Sequence, residues 1–165
     1  MPPARPDYKD AAALDRPMAL RFGTNGSVAC LMLGPDISSR MSRRILIVDD
    51  EDDIREVAQL SLELVGQWDV LTAASGRDGV ELARSRHPDA ILLDVMMGDM
   101  DGPSTLAQLR ADPATRDIPV LFLTASSQSA DRAWLTAAGA AGVLNKPFDP
   151  LRLAADVAAA LNWNA

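Results

Sequence analysis

The sequence predicts an α/β domain built on a doubly wound parallel sheet of five strands. Two observations carry this prediction. Five short runs, "RILIV", "WDVLTA", "AILLD", "PVLFLTA" and "GVLN", are almost wholly apolar rather than alternating, as strands buried on both faces must be. Between and after them lie segments with helical spacing, so β and α alternate five times along the chain. Right-handed crossovers then place helices on both faces of the sheet.

Each element follows from its own residues. "RILIV" (44–48) is apolar and rich in β-branched residues, a buried strand. Ile54, Val57, Ala58, Ser61, Leu62 and Val65 then recur at i, i+3, i+4, i+7, i+8 and i+11, one face of a helix that Gly66 ends. Asp52 or Asp53 is expected to cap that helix, because acids favour a helix N-terminus. "WDVLTA" (68–73) is the second strand, and Ser75 can cap a second helix that runs to about Arg86 and closes at "HPD". "AILLD" (90–94) is the third strand. A helix follows from about Pro103, a residue suited to a first turn, to about Ala111. "PVLFLTA" (119–125), "SADRAWLTAAG" (129–139) and "GVLN" (142–145) supply the fourth strand, fourth helix and fifth strand. A last helix is expected from Pro150 to about Leu161, with Leu153, Val157 and Leu161 on one stripe.

Before the first strand the pattern breaks down. Residues 1–40 carry five prolines, and three glycines interrupt what is left, so residues 1–41 are expected to form a disordered N-terminal extension. Met41, in "MSRRILIVDD", is an alternative start. The folded domain is expected over 42–162, followed by a short tail at 163–165 in which Trp163 either docks or dangles. No apolar run approaches the ~18 residues of a membrane helix, so no membrane contact is expected. Cys30 is the only cysteine, which excludes an internal disulfide framework and makes a reducing cytoplasm the default. Residues 1–40 have net charge +1 and residues 41–165 have −8, in agreement with −7 for the whole chain. So acidic a body argues against non-specific nucleic-acid binding and favours cations or protein partners.

In an open α/β sheet, ligands bind at the carboxyl ends of the strands. Strand 1 ends in Asp49 and Asp50, strand 3 in Asp94, strand 4 in Thr124, and strand 5 runs into Lys146–Pro147. Two carboxylates about 4 Å apart repel by roughly 4 kcal/mol at an effective dielectric near 20. Three acids gathered at one edge therefore call for a counter-charge. Lys146 supplies one positive charge, and an oxygen-only ligand set suits a hard cation such as Mg²⁺ better than zinc or copper.

The stretches "ILIVDDE", "ILLDVMMGDMDG", "VLFLTA" and "GVLNKPFDP" together resemble the receiver domain of bacterial two-component response regulators, over residues 43 to about 161. Asp94 lies 44 residues after Asp50, Thr124 a further 30 on, and Lys146 another 22, spacings similar to those of the single-domain chemotaxis regulator. The resemblance implies a flavodoxin-like (βα)5 sheet in strand order 2-1-3-4-5. It implies that Asp94 is the phosphoacceptor, with Thr124 and Lys146 contacting the phosphoryl oxygens. Asp50, Asp94 and the Met96 carbonyl would bind Mg²⁺ directly, and Asp49 mostly through water. A cis Lys146–Pro147 bond is also implied. The partners implied are a sensor histidine kinase or histidine phosphotransfer protein and a downstream protein effector. No output module follows Leu161 within the sequence, so a stand-alone receiver acting by protein contact or onward phosphotransfer is expected, and not a turnover enzyme.

The chain departs from the family pattern in three places. Val143 stands where an aromatic switch residue is usual, and Gly98 replaces a usual proline after the phosphoacceptor. Met96 and Ser126 occupy the positions two after Asp94 and Thr124, which in the family tune phosphoryl lifetime. Two other functions compete. A receiver that binds constitutively would not need the intact acid pair, Asp94, Thr124 and Lys146. A haloacid-dehalogenase-like phosphatase would need a carboxylate two residues after its nucleophile, where this chain has Met96. His87, before Pro88 at a helix end, is expected at the surface.

Overall fold

The computed structural model describes residues 42–163. The expected N-terminal extension, Cys30 and the last two residues of the tail lie outside them. The described chain runs β1 (Arg44–Val48), α1 (Asp52–Leu64), β2 (Asp69–Ala73), α2 (Gly76–Arg86), β3 (Ala90–Asp94), α3 (Gly102–Ala111), β4 (Val120–Thr124), α4 (Ser129–Ala137), β5 (Gly142–Asn145) and α5 (Leu153–Ala160). The strands form one parallel sheet in the order β2-β1-β3-β4-β5, the flavodoxin-like arrangement that the resemblance implied.

Alternate residues of each strand feed two cores. Leu46, Val48, Ile91, Leu93, Val120 and Phe122 point to one side, where Val80 and Ala83 of α2, Leu106 and Leu109 of α3 and Leu135 of α4 cover them. Ile45, Ile47, Leu92, Leu121 and Leu123 point to the other, beneath Ala58 and Leu62 of α1 and Leu153, Ala154 and Val157 of α5. Burial on both faces is why the strands carry no polar alternation. β1, β3 and β4 lie inside the sheet, so their carboxyl ends meet at its middle, where the chain reverses its winding direction.

Local chemistry sets the helix starts. Ser75 caps α2 by accepting from the Asp78 amide at 3.1 Å, and Asp101 caps α3 by accepting from the Ser104 amide at 2.8 Å, with Pro103 in the first turn. Two expectations need correction. The N-cap of α1 is Glu51, whose side chain makes no capping bond, and Asp52 and Asp53 fall inside the first turn. There they face the helix dipole, the interaction that made them look like caps. The last helix begins at Leu153, not Pro150, because Asp149 Oδ1 and its carbonyl hold 150–153 in a turn through the amides of Leu151, Arg152 and Leu153. His87 ends α2 with φ 46° and is exposed. Trp163 docks: its ring meets Trp68 edge-on at 5.3 Å, and the Arg43 guanidinium lies 4.6 Å from its centroid.

Candidate functional site

The pocket at the carboxyl edge is built at the ends of β1, β3, β4 and β5. Asp49 follows the last residue of β1 and is fully buried, while its neighbour Asp50 is exposed. Asp94 is the last residue of β3 and is 3% exposed. Carboxylate oxygens of Asp49, Asp50 and Asp94 all lie within 4.8 Å of one another. Lys146 reaches in from beyond β5, its Nζ 2.6 Å from Asp49 Oδ2, 3.3 Å from Asp94 Oδ1 and 3.3 Å from Glu51 Oε1. The Lys146–Pro147 bond is cis.

Hydrogen bonds fix the remaining acceptors. Asp49 Oδ1 accepts from the Glu51 amide at 2.9 Å, and the Asp49 carbonyl accepts from Arg55 Nη1 at 2.7 Å. Asp50 Oδ2 accepts from the Gly98 amide and Asp94 Oδ1 from the Met96 amide, both at 3.3 Å. Met96 therefore touches the site through its backbone, while its side chain is exposed. Thr124, buried at the end of β4, accepts from the Ser126 amide at 3.0 Å, and its carbonyl accepts from the Lys146 amide at 2.8 Å. Gly98 has open space around it. Val143 packs into the core beside α4, in the position where a ring was absent from the sequence.

Electrostatics follow from this crowding. Burial, and then the charge of Asp49, push the Asp94 carboxyl above the usual carboxylate range, against the pull of Lys146 and the Met96 amide. For Lys146, burial works to lower the pKa. The close contact with Asp49 and the charges of Asp49 and Asp94 outweigh it, so the ammonium is held above the ordinary lysine value. The 2.6 Å contact is an ion pair rather than an aligned hydrogen bond, which leaves the buried Asp49 Oδ2 without a well-directed donor. One ammonium thus faces three carboxylates, and one buried oxygen lacks an aligned donor. Oxygen-only ligands with excess negative charge fit a hard divalent cation.

Asp49, Asp50, Asp94 and Lys146 come together in one pocket, and Met96 and Thr124 lie on its backbone framework. Two residues that touch the site were not anticipated. Glu51 shares Lys146, and Arg55 braces the Asp49 carbonyl while pairing with Asp52. The acid run at 49–53 masked Glu51, and the i,i+3 spacing of Asp52 and Arg55 was the available signal for the other.

A family profile described as the response regulator receiver domain matches residues 45–158. The DNA-binding dual master transcriptional regulator RpaA of Synechocystis sp. is 42% identical over 118 residues, 72% of this chain and 48% of that protein. The alkaline phosphatase synthesis transcriptional regulatory protein PhoP of Bacillus subtilis is 38% identical over 121 residues, 73% of this chain and 49% of that protein. This chain therefore spans about half the length of these curated relatives. Among solved structures, the Vibrio cholerae chemotaxis protein CheY4 superposes with a TM-score of 0.67 at 31% identity, covering 72% of this chain and 98% of that one. A response regulator from Chloroflexus aurantiacus gives 0.67 at 34% identity, with 73% and 98% covered. The fold and the acidic pocket define a flavodoxin-like α/β domain with a cluster of carboxylates at the carboxyl edge of its sheet. The chain belongs to the response regulator receiver family.

Proposed function

We propose that this receiver is a phosphoacceptor switch whose acceptor is Asp94. The carrying observation is the convergence of three carboxylates within 4.8 Å around one lysine that contacts both Asp49 and Asp94. The donor is the phosphohistidine of a sensor histidine kinase or a histidine phosphotransfer protein. An Asp94 carboxylate oxygen attacks phosphorus and forms an acyl phosphate. The P–N bond to the imidazole breaks, and its electron pair stays on that nitrogen, which takes up a proton. The Lys146 ammonium and the Thr124 hydroxyl stabilise the charge that spreads over the phosphoryl oxygens, since such transfer depends mainly on positioning and charge. Asp49, Asp50 and Asp94, with the Met96 carbonyl, would hold Mg²⁺, which supplies further positive charge to the phosphoryl group when bound. The chain modifies itself and turns over no separate substrate.

Signalling by contact with a protein effector, or by passing the phosphoryl group on, fits the acidic surface charge. An effector protein is our first reading of the output, and no described helix is long and apolar enough to cross a membrane. The second reading is a receiver that serves a DNA-binding output, favoured by a relative named as DNA-binding and matched over about half its length. The mass of the natural gene product separates these two.

The test of the switch itself is intact mass after incubation with acetyl phosphate and Mg²⁺. A gain of one phosphoryl group that EDTA abolishes, and that Asp94→Asn lacks, is expected. No gain from acetyl phosphate or from a kinase, with the fold intact, would instead make this a constitutive binding module.

A further inference from the structure

Outside the pocket, two consecutive residues in the first turn of α4 reach back to the site by separate routes. Ser126 Oγ donates to Asp131 Oδ2 at 2.5 Å, and the Ser126 amide donates to Thr124 Oγ1 at 3.0 Å. That bond fixes the Thr124 hydroxyl oxygen from one side and leaves its proton free to donate. Arg132, the next residue, spans from α4 to β5. Its Nη1 donates to Asn145 Oδ1 at 3.0 Å and its Nη2 to the Val143 carbonyl at 2.9 Å. β5 is an edge strand, so that carbonyl has no strand partner on its outer side, and Asn145 immediately precedes Lys146. The Lys146 amide in turn donates to the Thr124 carbonyl, which closes a loop of contacts around both phosphoryl-binding residues.

We infer that Asp131 and Arg132 are positioning residues for the phosphoryl-transfer reaction, aligning Thr124 and Lys146 from outside the pocket. The inference rests on the proposed phosphoacceptor role of Asp94. Two features set this apart from ordinary helix stabilisation. Asp131 and Ser126 are at least partly exposed and lie in neither core, so breaking their contact leaves the hydrophobic packing untouched. The guanidinium also meets two acceptors at once, which fixes the edge of β5 in a way a single bond would not.

The test measures the rate of phosphoryl gain from acetyl phosphate with Mg²⁺, by intact mass, beside the Tm of each variant. Asp131→Ala and Ser126→Ala should each slow the gain by about threefold to tenfold, and the double variant should be no slower than either single, because both break one chain of contacts. Asp131→Asn keeps an oxygen acceptor for Ser126 but loses the charge, so it should restore the rate. Arg132→Ala should slow the gain further when combined with Asp131→Ala, since it removes the second route. If Asp131→Asn is as slow as Asp131→Ala, the effect is helix-terminal charge and the inference fails. Wild-type rates in all these variants would overturn it too, while leaving the switch intact. No phosphoryl gain in the wild type would overturn the switch itself.

Discussion

At the scale of single residues, the pocket is a negotiation over one ammonium. Asp49 is buried with no aligned donor on Oδ2, and Asp94 is buried beside it, so Lys146 is the cation that both need. Replacing Asp49 with Asn removes the like charge next to Asp94. The Asp94 carboxyl should then titrate lower than in the wild type, though burial still holds it up, and a ¹³C NMR titration of the side-chain carboxyls would read this. Lys146, whose pKa is raised, contributes stability that is full below the ordinary lysine value and is lost as pH rises through the folded one. A divalent ion should add to that stability. At a Mg²⁺ concentration about 100 times Kd the gain is roughly 2.7 kcal/mol, seen as a rise in Tm that Asp50→Asn abolishes. Asp50 is the member of the acid trio that faces solvent, and its carboxylate is held by a single amide.

At the scale of elements, the ends of strands and helices do the positioning. Gly102 opens α3 directly behind the strand end that carries Asp94, and a Cβ there would lie 2.5 Å from the Asp94 carbonyl and 2.9 Å from Val95 Cα. Gly102→Ala should therefore destabilise the fold by about 1–3 kcal/mol, read as a lower denaturant midpoint, although alanine is the better helix former. The preceding residue, Asp101, caps the same helix. Ser104, through its hydroxyl and then its amide, holds the Asp101 carboxyl below the usual carboxylate range. A depressed pKa gives stability that is present above the unfolded value and is lost as pH falls through the folded one. Asp101→Ala should cost about 1 kcal/mol at neutral pH, and the gap from wild type should close on acidification below about pH 4, in parallel urea titrations.

At the scale of the whole molecule, a two-sided core fixes where the strand ends converge. Phe122 is the largest of the fully buried side chains and lies mid-sheet on β4, so Phe122→Ala should cost about 3–5 kcal/mol and disturb Thr124 two residues on. Much of this plan was legible in the sequence. Unbroken apolar runs marked the strands because both sheet faces are covered, and acids ending two of those runs marked the site because such residues are out of place at a buried edge. Helix boundaries were less legible. The start of α5 depends on backbone bonds at Asp149, and Glu51 at the N-cap of α1 is one acid among five in a row. Spacing and residue type determined the fold class and that Asp49, Asp50, Asp94 and Lys146 meet at one sheet edge, since those depend on local periodicity and on what can be buried at all. Only the tertiary structure decided which oxygens Lys146 contacts, that Glu51 shares it, and that Asp131 and Arg132 reach Ser126 and Asn145. The Lys146 and Arg132 contacts join residues from different elements, whose separations only packing fixes, and the Asp131 contact depends on how the chain turns into α4.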